Sequence, residues 1–157
     1  MTIESILNAQ RTAQNGDATG RAIHSCTPDE PLRSVVERLT QARIGAMPVL
    51  EPAADGEGPL RIVGIVSERD IIHCLASLGG TALDSTVAAA MTAPAITIER
   101  STHALAALSM MTRRRIRHLP VVEDGRMIGF VSIGDLVKHR IERIEAEAEA
   151  LRDYIAR

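Results

Sequence analysis

The apolar positions of this chain predict the same series of elements twice: a strand, a helix, a hairpin of two strands and a second helix. The first series comprises a weak strand at 23–26, a helix starting at Thr27 and ended by Gly45, strands at 47–50 and 61–66, and a helix from Ser67 to about Leu78. After a helical turn at 87–91, the second comprises a strand at 95–98, a helix from about Thr102 to Arg115, strands at 119–122 and 127–132, and a helix from Gly134 to Arg157. This repeated order indicates an internal duplication.

Two similar seven-residue segments occur in the two series at a fixed offset. Gly64–Asp70 reads GIVSERD and Gly129–Asp135 reads GFVSIGD, so the segment recurs after 65 positions (129 − 64 = 65). The hairpin prolines Pro48 and Pro120 lie 72 positions apart (120 − 48 = 72). The first hairpin loop, at 51–59, is therefore longer by seven residues (72 − 65 = 7), a change that surface loops tolerate.

The predicted fold class is α+β, since strands and helices are mixed within each series. The predicted parts are an N-terminal helix at 1–15, a first motif at 20–78, a linker at 79–86, a second motif at 87–139 and a C-terminal helical extension at 140–157. The N-terminal helix is too short to be stable alone, so we expect it to dock on the body or on a partner. Ile3, Ile6, Leu7 and Gln10 are predicted to lie on one side of it.

Turn and capping residues mark the ends of the first two helices. Asn15-Gly16-Asp17 breaks the N-terminal helix. The next helix has Thr27 as its N-cap, Pro28 at the first helical position and Glu30 closing a capping box. These residues predict a helix that begins at Pro28.

The last predicted helix carries a regular apolar stripe with spacings of 4, 3, 4, 3 and 4. The stripe consists of Val137, Ile141, Ile144, Ala148, Leu151 and Ile155. Such an a/d seam packs either on the body of the same chain or on another helix. Because the helix extends about 15 residues, roughly 20 Å, past the equivalent end in the first series, we expect a second copy of the protein to cover it.

Composition narrows the class of protein. The 157 residues are 45 % hydrophobic and 24 % charged, as in globular proteins, and the net charge of −2 gives no attraction to nucleic acid or to an anionic membrane. One Phe, one Tyr and no Trp provide no platform for stacking bases. Cys26 and Cys74 form no CxxC pair, which is typical of a reducing compartment. With no signal peptide or membrane span evident, we expect a cytoplasmic location.

The two Ser-x-x-Asp units allow two interpretations. Ser67 and Ser132 have the spacing of N-caps whose boxes are completed by Asp70 and Asp135. Alternatively, each Asp accepts hydrogen bonds from the two hydroxyls of a ribose, a role of acidic residues in other nucleotide folds. The adjacent helix N-terminus then favours a phosphate. A cap does not exclude the ligand role.

The segment Ile116–Asp135 (IRHLPVVEDGRMIGFVSIGD) strongly resembles the CBS motif, named for cystathionine β-synthase, and Ile44–Val49 with Ile62–Asp70 matches it again. The resemblance implies two β-α-β-β-α units packed as a pseudo-twofold Bateman module with two clefts. Such modules bind adenine nucleotides or related adenosyl ligands as regulatory sensors. The implied ligand is AMP, ADP or ATP, with NAD(H) and S-adenosylmethionine as alternatives, and no cofactor is required.

By that resemblance, each cleft combines the Asp of one copy with the first strand and the Pro-Val segment of the other. The first implied site comprises Ser67, Arg69, Asp70, Thr97, Arg117 and His118, and the second comprises Ser25, Gly45, Ala46, Met47, Ser132 and Asp135. Guanidinium groups bind phosphate in a fork, so the first site is expected to prefer the more highly charged ligand. In the second site, the strand at 22–26 is more polar than the family's pattern, in which a Thr is flanked by aliphatic residues.

Other chemistry finds less support. Asp70, His73 and Cys74 share one helix face and are an alternative metal-ligand set, and the arginines at 113–115 are alternatively a solvated helix end. No nucleophile elbow, P-loop or Rossmann fingerprint indicates an enzyme. We therefore expect a regulatory homodimer that acts on an unidentified protein. The alternatives are a constitutive dimerisation module without ligand and a metal-binding redox sensor.

Overall fold

The computed structural model describes residues 1–13, 23–52 and 60–155. Its α-helices are α1 (Ile3–Ala13), α2 (Leu32–Ala42), α3 (Glu68–Leu78), α4 (Val87–Ala90), α5 (Ala104–Arg114) and α6 (Ile133–Ile155), and a 3-10 helix spans Gly79–Asp84. Its strands are β1 (Ala46–Glu51), β2 (Arg61–Ser67), β3 (Ile98–Glu99), β4 (His118–Glu123) and β5 (Arg126–Ser132). The predicted break at 15–17, most of the loop at 51–59 and the end of the last helix lie outside the described residues. The α+β class, the N-terminal helix and the long C-terminal helix are confirmed.

Two small sheets contain these strands. The strands β1 and β2 form an antiparallel pair, and the other sheet has the order β3-β4-β5. The turn that joins β4 to β5 has Asp124 at a φ of 49° and Gly125 at a φ of 75°. Two consecutive left-handed residues match the twist of a hairpin, so the Asp-Gly signal correctly predicted a tight turn.

The chain divides into two compact units. One comprises Met1–Arg21, Ile98–Leu119 and Val131–Arg157, and the other comprises Ala22–Thr97 and Pro120–Phe130. We call them the C-terminal unit and the central unit.

The central unit packs α2, α3 and α4 with the β1–β2 pair around one core. Its buried members are Cys26, Leu32, Val35, Leu39, Met47, Val49, Val66, Ile71, Cys74, Ala82 and Val87. The weak strand predicted at 23–26 is reduced to a single parallel bridge, between Cys26 and Val49. The predicted linker at 79–86 begins as the 3-10 helix and supplies Ala82 to the core.

Helix α2 begins four residues later than predicted. Glu30 does accept the Thr27 N–H at 2.9 Å, as in a capping box. However, the carbonyls of Pro28 and Glu30 accept the N–H groups of Ala88 and Val87 at 2.9 and 2.8 Å. These contacts with α4 replace helical bonds, so residues 28–30 form a turn and the helix starts at Leu32.

The ends of α2 and α5 are made in the same way, and the prediction of Gly45 as the end of α2 was wrong. Arg43 and Arg115, 72 positions apart (115 − 43 = 72), both have left-handed φ angles, of 52° and 55°. The next N–H in each copy donates to Leu39 O and to Met111 O, at 3.1 and 3.0 Å. This arrangement is a Schellman-type end, which does not require glycine.

In the C-terminal unit, α1 docks on the segment before α5. The N–H groups of Ile3 and Glu4 donate to Thr102 O and Arg100 O, each at 2.9 Å. The side chains of Ile3 and Ile6 are buried, and α1 also contacts α6. The N-terminal helix therefore docks on the body of the chain, one of the two predicted outcomes.

Large apolar side chains of both α5 and α6 are exposed. The buried residues of α5 are Ala104, Ala107 and Met111, whereas Leu105 is 52 % exposed. In α6, Leu136 is buried, but five of the six predicted seam residues are 42 to 75 % exposed. The seam therefore does not pack on the described part of its own chain. No described helix is both long and apolar enough to cross a membrane.

Candidate functional site

The first Ser-x-x-Asp unit joins β2 to α3. Ser67 is extended, with φ of −123°, and its backbone N–H donates to Asp70 Oδ2 at 2.8 Å. The Asp70 N–H in turn donates to Ser67 Oγ at 3.4 Å, which completes a capping box. Two orphan donors at the start of the helix are thereby satisfied, so the capping interpretation is confirmed for this unit.

The second unit joins β5 to α6 with the same bonds. Ser132 N and Oγ donate to Asp135 Oδ2 at 2.7 and 2.6 Å, and the Asp135 N–H donates to Ser132 Oγ at 3.2 Å. The carboxylates of Asp70 and Asp135 are both half-buried. Each cap thus uses Oδ2 and leaves Oδ1 for another partner.

The second carboxylate oxygen distinguishes the two units. Asp70 Oδ1 accepts a hydrogen bond from Thr92 Oγ1 at 2.9 Å. Asp135 Oδ1 has no hydrogen-bond partner among residues 1–13, 23–52 and 60–155. A carboxylate oxygen with unused lone pairs at a helix start is the acceptor that a ribose diol needs.

Thr92 is placed by a short backbone pairing with β2. Its N–H donates to Ile65 O at 2.8 Å, and its carbonyl accepts from the Ile65 N–H at 3.0 Å. Gly64 allows this approach, since a Cβ built there would lie 2.9 Å from both Met91 Sδ and Thr92 O. The sequence pattern placed Thr92 between elements and gave no sign of this hydroxyl's partner.

Within the central unit, two of the predicted site residues lie beside the first Ser-x-x-Asp unit. Gly45 O accepts the N–H of Glu68, the first residue of α3, at 3.0 Å, and Ala46 pairs with Ser67 across β1 and β2. Met47 is fully buried in the core of the central unit.

The C-terminal unit contains the equivalent contact. Arg117 O accepts the N–H of Ile133, the first residue of α6, at 2.8 Å. The two contacts join equivalent positions of the repeat. Arg117 follows Gly45 by 72 residues (117 − 45 = 72), the offset before the hairpin loop, and Ile133 follows Glu68 by 65 residues (133 − 68 = 65), the offset after it. Arg117 is exposed and His118 is half-buried. In each copy, the structure therefore brings the start of the helix after the Ser-x-x-Asp serine together with the residue that precedes the first hairpin strand.

The pairings across copies stay predictions, and all of them except Asp70 with Thr97 join residues of the two units. They concern Asp70 with Thr97, Arg117 and His118, and Asp135 with Ser25, Gly45, Ala46 and Met47. Within the central unit, the backbone carbonyl of Ser25 accepts a hydrogen bond from Arg38 Nη1 at 2.7 Å. Arg38 also forms an ion pair with Glu30, which fixes the guanidinium beside Ser25.

Charge is concentrated at the end of α5. Arg113 and Arg114 lie in its last turn, where the helix dipole favours cations, and both are exposed. Arg115 and Arg117 follow them and are also exposed. This placement fits the interpretation as a solvated helix end.

The thiols are buried and are not arranged for metal binding. Burial, with a further contribution from Glu30, raises the pKa of Cys26 to about 11, so its nucleophilic thiolate is scarce at neutral pH. Cys74 Sγ lies 3.7 Å from Ser85 Oγ, and His73 on the same helix is exposed. Within the described ranges, no three His, Cys, Asp or Glu side chains are placed to hold a metal ion.

Comparison with known proteins adds a family match. The family model described as "CBS domain" matches this chain twice, over residues 16–77 and 87–142. The mitochondrial CBS domain-containing protein CBSX3 of Arabidopsis thaliana is 36 % identical over 132 residues, which are 83 % of this chain and 62 % of that protein. This chain thus spans less than two thirds of that relative's length.

Solved structures share the fold. The crystal structure of a CBS-domain containing protein from Agrobacterium tumefaciens is 31 % identical, has a TM-score of 0.75 and is matched over 89 % of this chain and 99 % of that chain. Two more distant structures hold ligands. CBSX2 in complex with AMP is 23 % identical (TM-score 0.67; 90 % of this chain, 96 % of that chain). A CBS domain pair in complex with 5′-methylthioadenosine and S-adenosyl-L-methionine is 19 % identical (TM-score 0.70; 91 % and 98 %).

Proposed function

This chain belongs to the CBS-domain family, and we propose that it is a regulatory module that binds an adenine nucleotide or another adenosyl ligand and changes its protein contacts in response. The observation that carries the proposal is the carboxylate of Asp135. Its Oδ2 is used by the helix cap, and its Oδ1 has no hydrogen-bond partner in the described part of the chain. Asp70 has the same cap in the other copy.

The chemistry around these carboxylates suits a nucleotide. A carboxylate oxygen accepts hydrogen bonds from the 2′- and 3′-hydroxyls of ribose. Each Asp lies in the first turn of a helix of at least eleven residues, where free N–H groups and the positive end of the dipole favour a phosphate. With one Phe, one Tyr and no Trp in the chain, aliphatic side chains and backbone groups would contact the adenine.

We assign two sets of ligand-binding residues, as the family pattern pairs them. The first set is Ser67, Arg69, Asp70, Thr97, Arg117 and His118, and the second is Ser25, Gly45, Ala46, Met47, Ser132 and Asp135. The first set contains two arginines and the second contains none, so we expect ATP to favour the first and AMP or an adenosyl ligand the second. The complexes of distant relatives with AMP and with adenosyl compounds support this choice of ligand class.

Titration calorimetry with AMP, ADP, ATP, NADH and S-adenosylmethionine tests the proposal. We expect measurable binding of at least one of them, weakened at least tenfold by Asp135→Ala or Asp70→Ala, because a lost charge-assisted hydrogen bond costs about 1.5 to 3 kcal/mol. Asp153→Ala, near the end of α6, is the matched control and should bind like the natural protein. Neither heat nor a thermal shift with any of the five ligands would contradict the proposal.

The second candidate function is a constitutive dimerisation module, and the exposed apolar seam of α6 favours it. In both cases we propose a homodimer that uses this helix. The two functions differ in whether a ligand changes the association, since a ligand shifts an equilibrium only by its differential affinity for the two states. The action on another protein and the cytoplasmic location both stay predictions.

A further inference from the structure

Helix α6 presents an apolar stripe over residues 137–155 that the described part of the chain leaves largely exposed. The helix runs for 23 residues, about 35 Å at the helical rise, whereas its counterpart α3 has 11 residues. The exposed seam residues are Val137 (42 %), Ile141 (50 %), Ile144 (48 %), Leu151 (59 %) and Ile155 (75 %), and Ala148 is half-buried. A continuous line of large aliphatic side chains that is exposed in the single chain is typical of a helix that another helix covers in the assembly.

The spacing assigns these residues to the core positions of a coiled coil. Since a to d is three residues and d to a is four, Ile141, Ala148 and Ile155 occupy a positions. Val137, Ile144 and Leu151 then occupy d positions. The flanking e positions are Lys138, Glu145 and Arg152, and the charged g positions are Arg140 and Glu147.

The flanking charges select an orientation. In a parallel pair in register, each g residue faces the e residue five positions later in the partner helix. Arg140 then faces Glu145 of the second copy, and Glu147 faces Arg152 of the second copy. Both contacts are attractive, and symmetry makes each of them occur twice.

The antiparallel alternatives are worse. When two antiparallel helices overlap along the whole seam, e faces e and g faces g. Glu145 then meets Glu145, Glu147 meets Glu147, and Lys138 meets Arg152, so every charged contact is repulsive. An antiparallel pair shifted by one heptad restores opposite charges, but it leaves Leu151 and Ile155 outside the overlap. The parallel arrangement alone covers the whole seam with matched charges.

We propose that α6 associates with α6 of a second copy as a parallel, in-register two-stranded coiled coil over residues 137–155. This inference rests on the proposed homodimer and adds its orientation and its specificity-determining pairs. The Arg143–Glu147 ion pair within each helix, at 2.7 Å, uses Glu147 Oε1. It leaves Oε2 for Arg152 of the second copy, so the two pairings are compatible.

A cysteine at Ala148 tests the orientation in the full chain. In the parallel arrangement, the two copies of this a position face each other, so Ala148→Cys should form a disulfide-linked dimer on mild oxidation. Ala146→Cys changes the same residue type on the outer face and is the matched control, which should not cross-link. The natural Cys26 and Cys74 are both buried, so the unchanged chain gives the background.

Charge exchange tests the pairs. Arg140→Glu alone and Glu145→Arg alone should each lower the dimer association constant about tenfold, since two surface ion pairs become repulsive contacts. The double variant Arg140→Glu/Glu145→Arg should restore it, because only the parallel register pairs these two positions. In the shifted antiparallel register, the double variant would be weaker than either single one.

Sedimentation equilibrium without nucleotide separates the possible failures. A monomer at tens of micromolar would overturn the homodimer itself. This is also the result expected if a different protein covered the seam. A dimer without the Ala148→Cys cross-link, or without rescue by charge exchange, would overturn the parallel register and leave the homodimer standing. Neither outcome depends on whether an adenosyl ligand binds.

Discussion

The two Ser-x-x-Asp units have the same cap and different surroundings. In both, the Ser backbone N–H donates to Oδ2 of the Asp, at 2.8 Å in the first copy and 2.7 Å in the second. In the first copy, Thr92 occupies the other oxygen of Asp70. In the second, Asp135 keeps that oxygen without a partner in the described residues. Both copies therefore share the structural role of the motif, while the hydrogen bonding of the second carboxylate oxygen depends on a residue outside the motif.

This difference revises an expectation drawn from charge. Arg69, Arg117 and His118 favoured the first site as the stronger one for a phosphorylated ligand. A ribose diol at Asp70 has to displace or share the Thr92 hydroxyl, whereas at Asp135 it meets an unused acceptor. We therefore expect Asp135 to contribute more to ribose binding in the natural protein.

The largest expected effect comes from the glycine that lets Thr92 approach. Gly64→Ala places a methyl group 2.9 Å from the Thr92 carbonyl and from Met91 Sδ, so the segment must move. Overpacking of this kind costs about 1 to 3 kcal/mol. Urea unfolding should show the loss. Gly134→Ala is the control, because its Cβ would meet only Ser132 Oγ at an ordinary 3.5 Å. Equal stability of the two variants would contradict the close approach.

Removing each carboxylate should have a smaller and unequal effect. Asp135→Ala removes the cap bonds at the start of α6 and should cost about 1 kcal/mol, as for other lost caps. Asp70→Ala removes the same bonds and the Thr92 bond, so it should cost about 2 kcal/mol. Urea unfolding of both variants checks the order. A larger loss for Asp135→Ala would show that the Thr92 contact contributes nothing to stability.

The smallest effect isolates the Thr92 hydroxyl. In an Asp135→Ala background, Thr92→Val should tighten ribonucleotide binding at Asp70 about three- to tenfold, since a competing hydrogen bond is worth about 0.5 to 1.5 kcal/mol. Thr92→Ser keeps the hydroxyl and should bind as the background does. Calorimetry measures both. Weaker binding by Thr92→Val would mean that the hydroxyl positions the carboxylate for the ligand.

Much of the fold could be predicted because its signals are local. A Ser followed by an Asp three residues later is sufficient for a capping box, and Asp124-Gly125 is sufficient for a left-handed turn. The spacing of the last helix correctly marked an apolar stripe. The spacing did not determine what that stripe packs against. The exposure of its side chains shows that the described body of the chain does not cover it.

Other features depend on partners distant in sequence. The N–H groups of Val87 and Ala88 donate to the carbonyls of Glu30 and Pro28, more than fifty residues away. Helix α2 therefore starts later than predicted. The left-handed end at Arg43 forms where a propensity argument expects glycine. Thr92 reaches Asp70 through a backbone pairing with β2 that no periodicity indicates. The helix caps were therefore predictable from the motif, and the contacts around the motif were not.

The central claim is that the two aspartates bind a ribose diol, and the affinity ratio between AMP and 2′-deoxy-AMP tests it directly. Calorimetry should give the natural protein an affinity for AMP about tenfold higher, the value of one lost charge-assisted hydrogen bond. In the double variant Asp70→Ala/Asp135→Ala, both affinities should be weak and their ratio close to one. An unchanged ratio in the double variant would contradict the claim, because the diol would then be recognised by other groups.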